Sequence, residues 1–320
     1  MLVNCKLSQR DARNRPNLFK TRARNSKYEG SAGQMRVLSR IMTVILIDVI
    51  DRSELAGKLI IKLQEVAEII TAPKLTANEV IFDMQEIIES YLDLRILAIA
   101  NLKMPNCRPK HHFLSHYPDC YKNYGPLIGL WAMRMESKHT YLKGVIRASK
   151  NFKNVTKTIS SRHELAQVCY RYYGLFPTNK YDIPADSYKL GHYIQFSSDI
   201  YIQKASKVLI SDSLIVKSVK IHGTLYSPGM IVMMKKESFG VLKVGMIQII
   251  AFQESQIWFG CSTYSASQSR YNSYVTTEEL SDFETICYDN LQDYYPLLRY
   301  GTISGFRFVL HHFISYGQNF

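Results

Sequence analysis

One carboxylate stands at the start of a long basic segment in the middle of the chain. Glu136 is followed, from Lys138 to His163, by seven Lys or Arg residues and by no Asp or Glu. Carboxylate oxygens are good ligands for Mg²⁺, and a metal ion held in this way can orient a phosphodiester. The same spacing is also typical of a solvated helix acid that pairs with Lys143. Glu136 is therefore a candidate catalytic acid with an ordinary surface role as its alternative.

The basic residues after Glu136 have the composition of a nucleic-acid contact surface. Cations without interspersed acids neutralise backbone phosphates and release counterions. A solvated helix surface is the alternative interpretation of such a run. The candidate nucleic-acid-binding residues are Lys138, His139, Lys143, Arg147, Lys150, Lys153, Lys157 and Arg162.

A histidine cluster precedes this segment. Its spacing, C-x3-HH-x3-H-x3-C, supplies enough nitrogen and sulfur ligands for tetrahedral zinc but matches none of the familiar zinc-finger spacings. Histidines in such a position equally bond backbone carbonyls or contact phosphate. We expect no cofactor here, and Mg²⁺ only if Glu136 is catalytic. The alternative zinc ligands are Cys107, His111, His112, His116 and Cys120.

The net charge of +13 is concentrated in two places. Residues 1–30 hold eight basic residues against two acidic ones, and residues 138–163 hold seven against none. These two stretches account for the whole net charge. Such concentration indicates an anionic partner, usually nucleic acid and sometimes a membrane surface. No P-loop, G-x-G-x-x-G, H-E-x-x-H or nucleophile-elbow motif points to a nucleotide-dependent enzyme or a hydrolase.

Cysteine usage and hydropathy predict the compartment. The six cysteines are scattered without a C-x-x-C pair, and the first residues lack an apolar signal-peptide core. The longest apolar runs, such as Ile96–Ala100, fall far short of the ~20 residues that span a bilayer. We therefore expect reduced thiols and a nuclear or cytoplasmic protein that is neither secreted nor a membrane protein.

Periodicity predicts helices in the first half of the chain. Apolar residues at helical spacing indicate helices over 34–50, over about 53–71, and from a capping box at Thr76 and Glu79 to about Ile99. The segment Thr43–Ile50 is alternatively a buried strand. Prolines predict a loop over 109–126. A long helix over 127–150 and another from Asn154 or Thr156 to Tyr173 complete this set.

The pattern changes to strands after Tyr181. Runs rich in β-branched and aromatic residues, separated by turns such as Ser227–Pro228–Gly229, predict short strands from 193 to 265 and a closing strand near 307–316. The predicted class is α+β: about five helices followed by a small antiparallel β-barrel or sandwich. The predicted division is a flexible basic arm at 1–33, a helical domain at 34–175 and a β-rich domain with a C-terminal extension at 181–320.

Four motifs suggest a family. PKHHFLSHYP, YGP, WAMRMESKHTYLK and NFKNVTKTISSRH, at 109–118, 124–126, 131–143 and 151–163, resemble the C-terminal part of transposase-like proteins encoded by CACTA (En/Spm-type) DNA transposons of animal genomes. The family pattern in this region is KPKHHF-x-x-HYP, FGP, W-x-MR-[FM]-E-x-KH-x-F-[FL]-K and NFKN-[IV]-x-KT. The preceding helical region and GTLYSPGMIV at 223–232 look like the same family.

The resemblance implies a metal-dependent carboxylate triad in an RNase H-like fold, with Glu136 as its third acid. The two partner aspartates belong on upstream strands, and the helical first third of this chain offers no such pair. We therefore expect a catalytically incomplete C-terminal transposase remnant that binds DNA. A metal-dependent nuclease using Glu136 is the first alternative. A protein- or chromatin-interaction module in the β-rich half is the second.

Overall fold

The structure is a computed structural model that describes most of the chain. It covers residues 9–12, 14–16, 30–46, 51, 54–150, 152–174, 181–183, 187–190, 199–238, 241–268, 274–297, 300–302 and 305–314. At 9, 10, 45, 133–137, 238, 277–281, 301, 302, 305 and 306 the description is of the backbone only. The greater part of the predicted basic arm lies outside these residues.

Helices dominate the first half, as the periodicity predicts. They are α1 (Gln9–Ala12), α2 (Ala32–Ile45), α3 (Leu55–Ile70), α4 (Gln85–Asn101), α5 (Pro109–Leu114), α6 (Tyr117–Tyr124), α7 (Met133–Ser149) and α8 (Val155–Tyr172). Thr43 belongs to α2, so the strand alternative is wrong there, while 47–50 lie outside the described residues.

The turn before α4 contains the predicted capping box. Thr76 Oγ1 accepts from Glu79 N at 3.3 Å, and Thr76 N donates to Glu79 Oε2 at 2.7 Å. A π-helical turn, Glu79–Met84, leads into α4. The α3–α4 pair buries Val66, Ile69 and Ile88 in the core of the helical half.

The loop predicted from prolines is instead helical. Pro109 and Pro118 occupy the first turns of α5 and α6, where a backbone N–H has no intrahelical acceptor to lose. Gly125, at φ 76°, ends α6. The long helix predicted over 127–150 is interrupted, because a 3₁₀ turn, Leu127–Leu130, precedes an extended Trp131.

Antiparallel strands form most of the second half. They are β1 (Tyr181–Asp182), β2 (Tyr188–Lys189), β3 (Leu214–Val216), β4 (Val219–Ile221), β5 (Thr224–Tyr226), β6 (Ile231–Ser238), β7 (Val241–Gln253), β8 (Gln256–Gln268), β9 (Tyr274–Cys287), β10 (Asp293–Leu297), β11 (Tyr300–Thr302) and β12 (Gly305–Phe308). The predicted turn at Ser227–Gly229 is present, with Gly229 at φ 85°.

Two segments predicted as strands take other conformations. Ile200–Ala205 forms helix α9, which Asp199 caps by accepting from Tyr201 N at 2.8 Å. Residues 207–209 continue as turns after it. Alternation of apolar residues over such short stretches does not separate a strand from one helical turn.

The sheet is not the predicted barrel. The larger sheet runs in the order β10-β6-β7-β8-β9-β12-β11 and does not close within the described strands. It branches at β7, because β6 pairs with residues 241–246 of that long strand and β3 with residues 250–252. A three-stranded sheet, β1-β4-β5, contributes Val219, Ile221 and Tyr226 to a core shared with the larger sheet. The fold is therefore a mixture of helices and open antiparallel sheets.

The C-terminal segment, residues 309–314, joins the helices to the sheet. Phe313 N donates to Glu68 O at 3.0 Å, and the Phe313 ring packs on the helical core. Leu310 and Ile314 are buried in the sheet core instead. The elements change between Tyr172 and Tyr181, where the sequence predicts a domain boundary, but the chain end returns to contact the helices.

Candidate nucleic-acid interface

Helices α7 and α8 form a helical hairpin. Lys150 ends α7 in a left-handed conformation at φ 50°, and Asn154 caps α8 by accepting from Lys157 N at 3.4 Å. The rings of Tyr141 and His163 meet between the two helices, 6.0 Å apart. We refer to residues 138–163 of this unit as the basic hairpin.

One row of basic residues follows α7. His139, Lys143, Arg147 and Lys150 are spaced by four, four and three residues, which places them on one side of the helix. All four side chains are exposed. Lys138 is exposed as well, off this row. These positions are exposed as a contact surface requires, and the binding itself stays a prediction.

The remaining three basic residues do not extend the row as a single stripe. Lys153 lies in the link between the helices, and Lys157 and Arg162, five residues apart, fall on different sides of α8. All three are exposed. Positive charge therefore surrounds the tip of the hairpin instead of following one face.

The basic hairpin contributes little to the protein core. None of the residues of α8 is buried, whereas α3 and α4 each bury several. Large apolar side chains are exposed as well: Phe152 in the link between the helices, at 71%, and Tyr172 at the far end of α8, at 81%. An exposed helix pair with this surface is available to a partner.

Glu136 lies in α7, but its side chain is outside the described residues. The catalytic hypothesis for Glu136 therefore stays a prediction. Across the described ranges there is no group of three or more His, Cys, Asp or Glu residues arranged to hold a metal ion.

The histidine cluster is only partly brought together. Nε2 of His112 lies 3.2 Å from Nε2 of His116. His111 is used differently, since its Nδ1 accepts from Arg108 N at 2.9 Å and caps α5. Cys107 and Cys120 are free thiols, and neither belongs to a three-ligand group in the part of the chain that the structure describes. The five-residue zinc site considered from spacing is therefore not assembled.

Sequence reasoning missed a buried polar network where α2, α3 and the C-terminal segment meet. The Arg40 guanidinium pairs with Asp11 and lies 2.8 Å from His311 Nδ1. Because arginine only donates, His311 Nδ1 must accept, and its Nε2–H then faces Pro296 O at 3.3 Å. The adjacent histidines of RFVLHHFISY were the available signal.

The neighbouring ring, His312, has two acceptors. Its Nδ1 is 3.0 Å from Phe313 O, and its Nε2 is 3.2 Å from Asp293 Oδ1. Both ring nitrogens therefore face oxygen atoms that can accept a hydrogen bond. Burial acts to raise the pKa of Asp293, but the bond and charge of His312 outweigh it and hold that pKa below its ordinary value.

Glu68 lies in the same region, and its pKa is shifted in the opposite direction from that of Asp293. Burial raises the pKa of its carboxyl to about 8, against the opposing bond that Gln64 Nε2 donates at 2.7 Å. Glu65 raises this pKa further, whereas Arg40 and His312 lower it. A small cleft lined by Arg36, Tyr295 and His312, among others, opens beside the network.

Comparisons with known proteins leave the family open. No family model matches the chain, and no curated protein or solved structure matches it. The likeness to CACTA transposases therefore rests on sequence motifs alone. Among the described residues, no helix is long and apolar enough to cross a lipid bilayer.

Proposed function

We propose that the protein binds the phosphate backbone of nucleic acid, DNA in the first place, through the basic hairpin. The observation that carries the proposal is that all seven Lys and Arg side chains of residues 138–163 are exposed, with no acid among them. Backbone contacts of this kind give affinity with little sequence preference.

The electrostatics of α8 indicates that the lysines at its start serve binding and not stability. Lys153 and Lys157 stand at the start of α8, where the helix dipole is positive and acidic residues are preferred. Cations there cost the helix about 0.3–1 kcal/mol each. Lys150 adds a third charge at the same end of the hairpin. An anionic partner offsets this repulsion. Without such a partner, these cations only destabilise the helix.

Exposed aromatic rings lie at both ends of α8. Phe152 lies in the link, and Tyr172 and Tyr173 lie at the end of α8. Unpaired bases stack on such rings, which contributes about 1–3 kcal/mol per base in single-strand binders. The proposal therefore includes single-stranded as well as duplex nucleic acid.

The resemblance gives this function its biological setting. The motifs around Trp131 and Asn151 suggest a transposase-derived protein, catalytically incomplete and acting in the nucleus. This part of the proposal is supported by sequence motifs and by no structural neighbour.

Salt-dependent binding tests the proposal. Affinity for a random-sequence duplex is measured by fluorescence anisotropy between ~50 and ~200 mM salt. We expect a steep decline with salt, and the variant Lys143→Gln/Arg147→Gln/Lys150→Gln is expected to lower the log–log slope by about 3. The matched control, Lys58→Gln/Lys207→Gln/Lys220→Gln, removes the same charge from exposed positions outside the hairpin. Equal losses in the two variants would show that net charge, not the hairpin, governs binding.

A nuclease remains the second candidate, because Glu136 precedes Lys143 by two helical turns on α7. It predicts Mg²⁺- or Mn²⁺-dependent nicking of DNA that disappears in Glu136→Gln. Our proposal expects no nicking and unchanged DNA affinity in that variant. Metal-dependent nicking by the natural chain, and not by Glu136→Gln, would contradict the remnant hypothesis and support the nuclease.

The interaction module in the β-rich half has less support. Tyr226, Tyr288 and Tyr294 cluster there, with ring centroids 5.9 and 5.3 Å apart. Tyr226 and Tyr288 are buried, so this cluster belongs to the core and is not an open aromatic cage. The module stays a hypothesis.

A further inference from the structure

Two imidazole rings converge on the exposed surface where α5 meets α6. The Nε2 atoms of His112 and His116 are 3.2 Å apart, and the ring planes are nearly perpendicular, at 88°. At this distance one nitrogen donates a hydrogen bond and the other accepts. A bound metal ion would take the place of the shared proton between the same two atoms.

The separation suits a transition metal. Zinc binds imidazole nitrogen at 2.0–2.1 Å, and a tetrahedral angle then places two ligand nitrogens about 3.3 Å apart. The two histidines already have this spacing. Their separation by four residues places both on one side of the turn between α5 and α6.

The backbone that carries the pair is held in place. His112 O accepts from Ser115 N at 3.0 Å, and His116 N donates to Phe113 O at 3.2 Å. In α6, Tyr121 is buried and its hydroxyl accepts from Leu75 N at 2.8 Å. A fixed backbone lowers the ordering cost of binding.

The surroundings determine what such a site can hold. Both rings are exposed, so the remaining coordination positions face water. His111 is occupied as a helix cap, and no third His, Cys, Asp or Glu completes a cluster in the described part of the chain. Two neutral imidazoles suit zinc or nickel, whereas magnesium prefers oxygen ligands.

We propose that His112 and His116 form a two-histidine chelate for a divalent transition-metal ion, of the Zn²⁺ or Ni²⁺ type, and do not bind Mg²⁺. The site is independent of the nucleic-acid proposal, since none of its ligands belongs to the basic hairpin.

Calorimetric titration of the full chain with Zn²⁺, Ni²⁺ or Mg²⁺, each alone and without nucleic acid, tests the chelate. His112→Ala and His116→Ala are each expected to weaken the Zn²⁺ and Ni²⁺ site about 100-fold, because one ligand loses the advantage of chelation. His222→Asn, at an exposed histidine between β4 and β5 and outside the basic hairpin, is the matched control and is expected to bind metal as the natural chain does. Circular dichroism checks that all variants are folded.

Nuclear magnetic resonance supplies a second readout. Zn²⁺ is expected to shift the Nε2 resonances of His112 and His116 together, with one equivalent of metal. Unchanged resonances, a shift of only one ring, or equal metal affinity in His112→Ala and the natural chain would overturn the proposal.

Discussion

Glu68 is a buried carboxyl whose ionisation opposes folding. Its pKa is raised from 4.5 to about 8 in the folded protein, so the folded state binds the proton more tightly than the unfolded chain does. The resulting stabilisation is complete below pH 4.5 and is lost as pH rises to about 8. Arg40 and His312 act against this rise in the pKa, whereas Glu65 adds to it.

Substitution of Glu68 by glutamine removes the titration while keeping the shape. We expect Glu68→Gln to be a few kcal/mol more stable than the natural chain at pH 8.5, with the difference shrinking toward pH 5. Urea denaturation across this pH range measures it. Glu164→Gln, which removes an exposed carboxylate from α8, is the control. A difference that does not vary with pH would contradict the raised pKa of Glu68.

Gly245 illustrates a second residue-level constraint. A Cβ atom at this position of β7 would lie 2.7 Å from Cys261 Cβ and 2.8 Å from Met234 Sδ. We expect Gly245→Ala to lower the free energy of unfolding by about 1–3 kcal/mol. Gly144→Ala is the contrasting variant, because nothing lies within 4 Å of the new methyl group on α7. It is expected to stabilise that helix by about 0.5–1 kcal/mol. Thermal denaturation of the two variants compares them directly.

At the scale of elements, α8 contains a position, Lys157, at which helix stability favours a negative charge and nucleic-acid binding favours a positive one. Lys157 donates its backbone N–H to the Asn154 cap, and a glutamate at 157 would complete a capping box at the positive end of the helix. We expect Lys157→Glu to raise stability by about 0.5 kcal/mol while it weakens nucleic-acid binding. Chemical denaturation and anisotropy on the same sample measure both effects. Lys157→Gln removes the positive charge without adding a negative one. Its stability and its affinity for nucleic acid are expected to fall between those of the natural chain and those of Lys157→Glu. A loss of stability together with binding would instead indicate a structural role for Lys157.

The helix–loop boundaries show why some elements were predictable and others were not. α3, α4 and α8 carry their own periodicity, so local sequence was sufficient for them. Two caps add to it: Thr76 with Glu79 before the π-helical turn that leads into α4, and Asn154 at α8. α5 and α6 were predicted as a loop because Pro109 and Pro118 are turn signals in isolation. Proline is equally favoured in the first turn of a helix, so the residue alone does not separate a helix start from a turn.

At the scale of the whole molecule, the C-terminal segment couples the two halves. Phe313 packs on the helical core while Leu310 and Ile314 pack on the sheet core. Lys236 reinforces the junction, with Nζ donating to Ile314 O at 2.7 Å and lying 5.0 Å from the Phe313 ring centroid. Burial lowers the pKa of this lysine to about 8, partly offset by Glu79 and Asp83.

Truncation of Phe313 tests the coupling. We expect Phe313→Ala to cost about 2–4 kcal/mol and to separate the unfolding of the helices from that of the sheet. Far-UV circular dichroism and tryptophan fluorescence follow the two transitions, since Trp131 lies in the helical half and Trp258 in β8. Phe113→Ala, which truncates an exposed ring, is the control and is expected to change little. Coincident transitions with unchanged stability would show that the halves are not coupled through this ring.

The sequence by itself determined the charge of the molecule, its mixture of helices and strands and the exposed row from His139 to Lys150, because charge and periodicity are local properties. Only the tertiary structure decided that β7 branches the sheet instead of closing a barrel, since register and strand order depend on distant contacts. It also brought together the rings of His112 and His116, and it buried Glu68, Arg40 and His312 together. These groupings join residues far apart in the chain or depend on side-chain directions, which no spacing rule specifies.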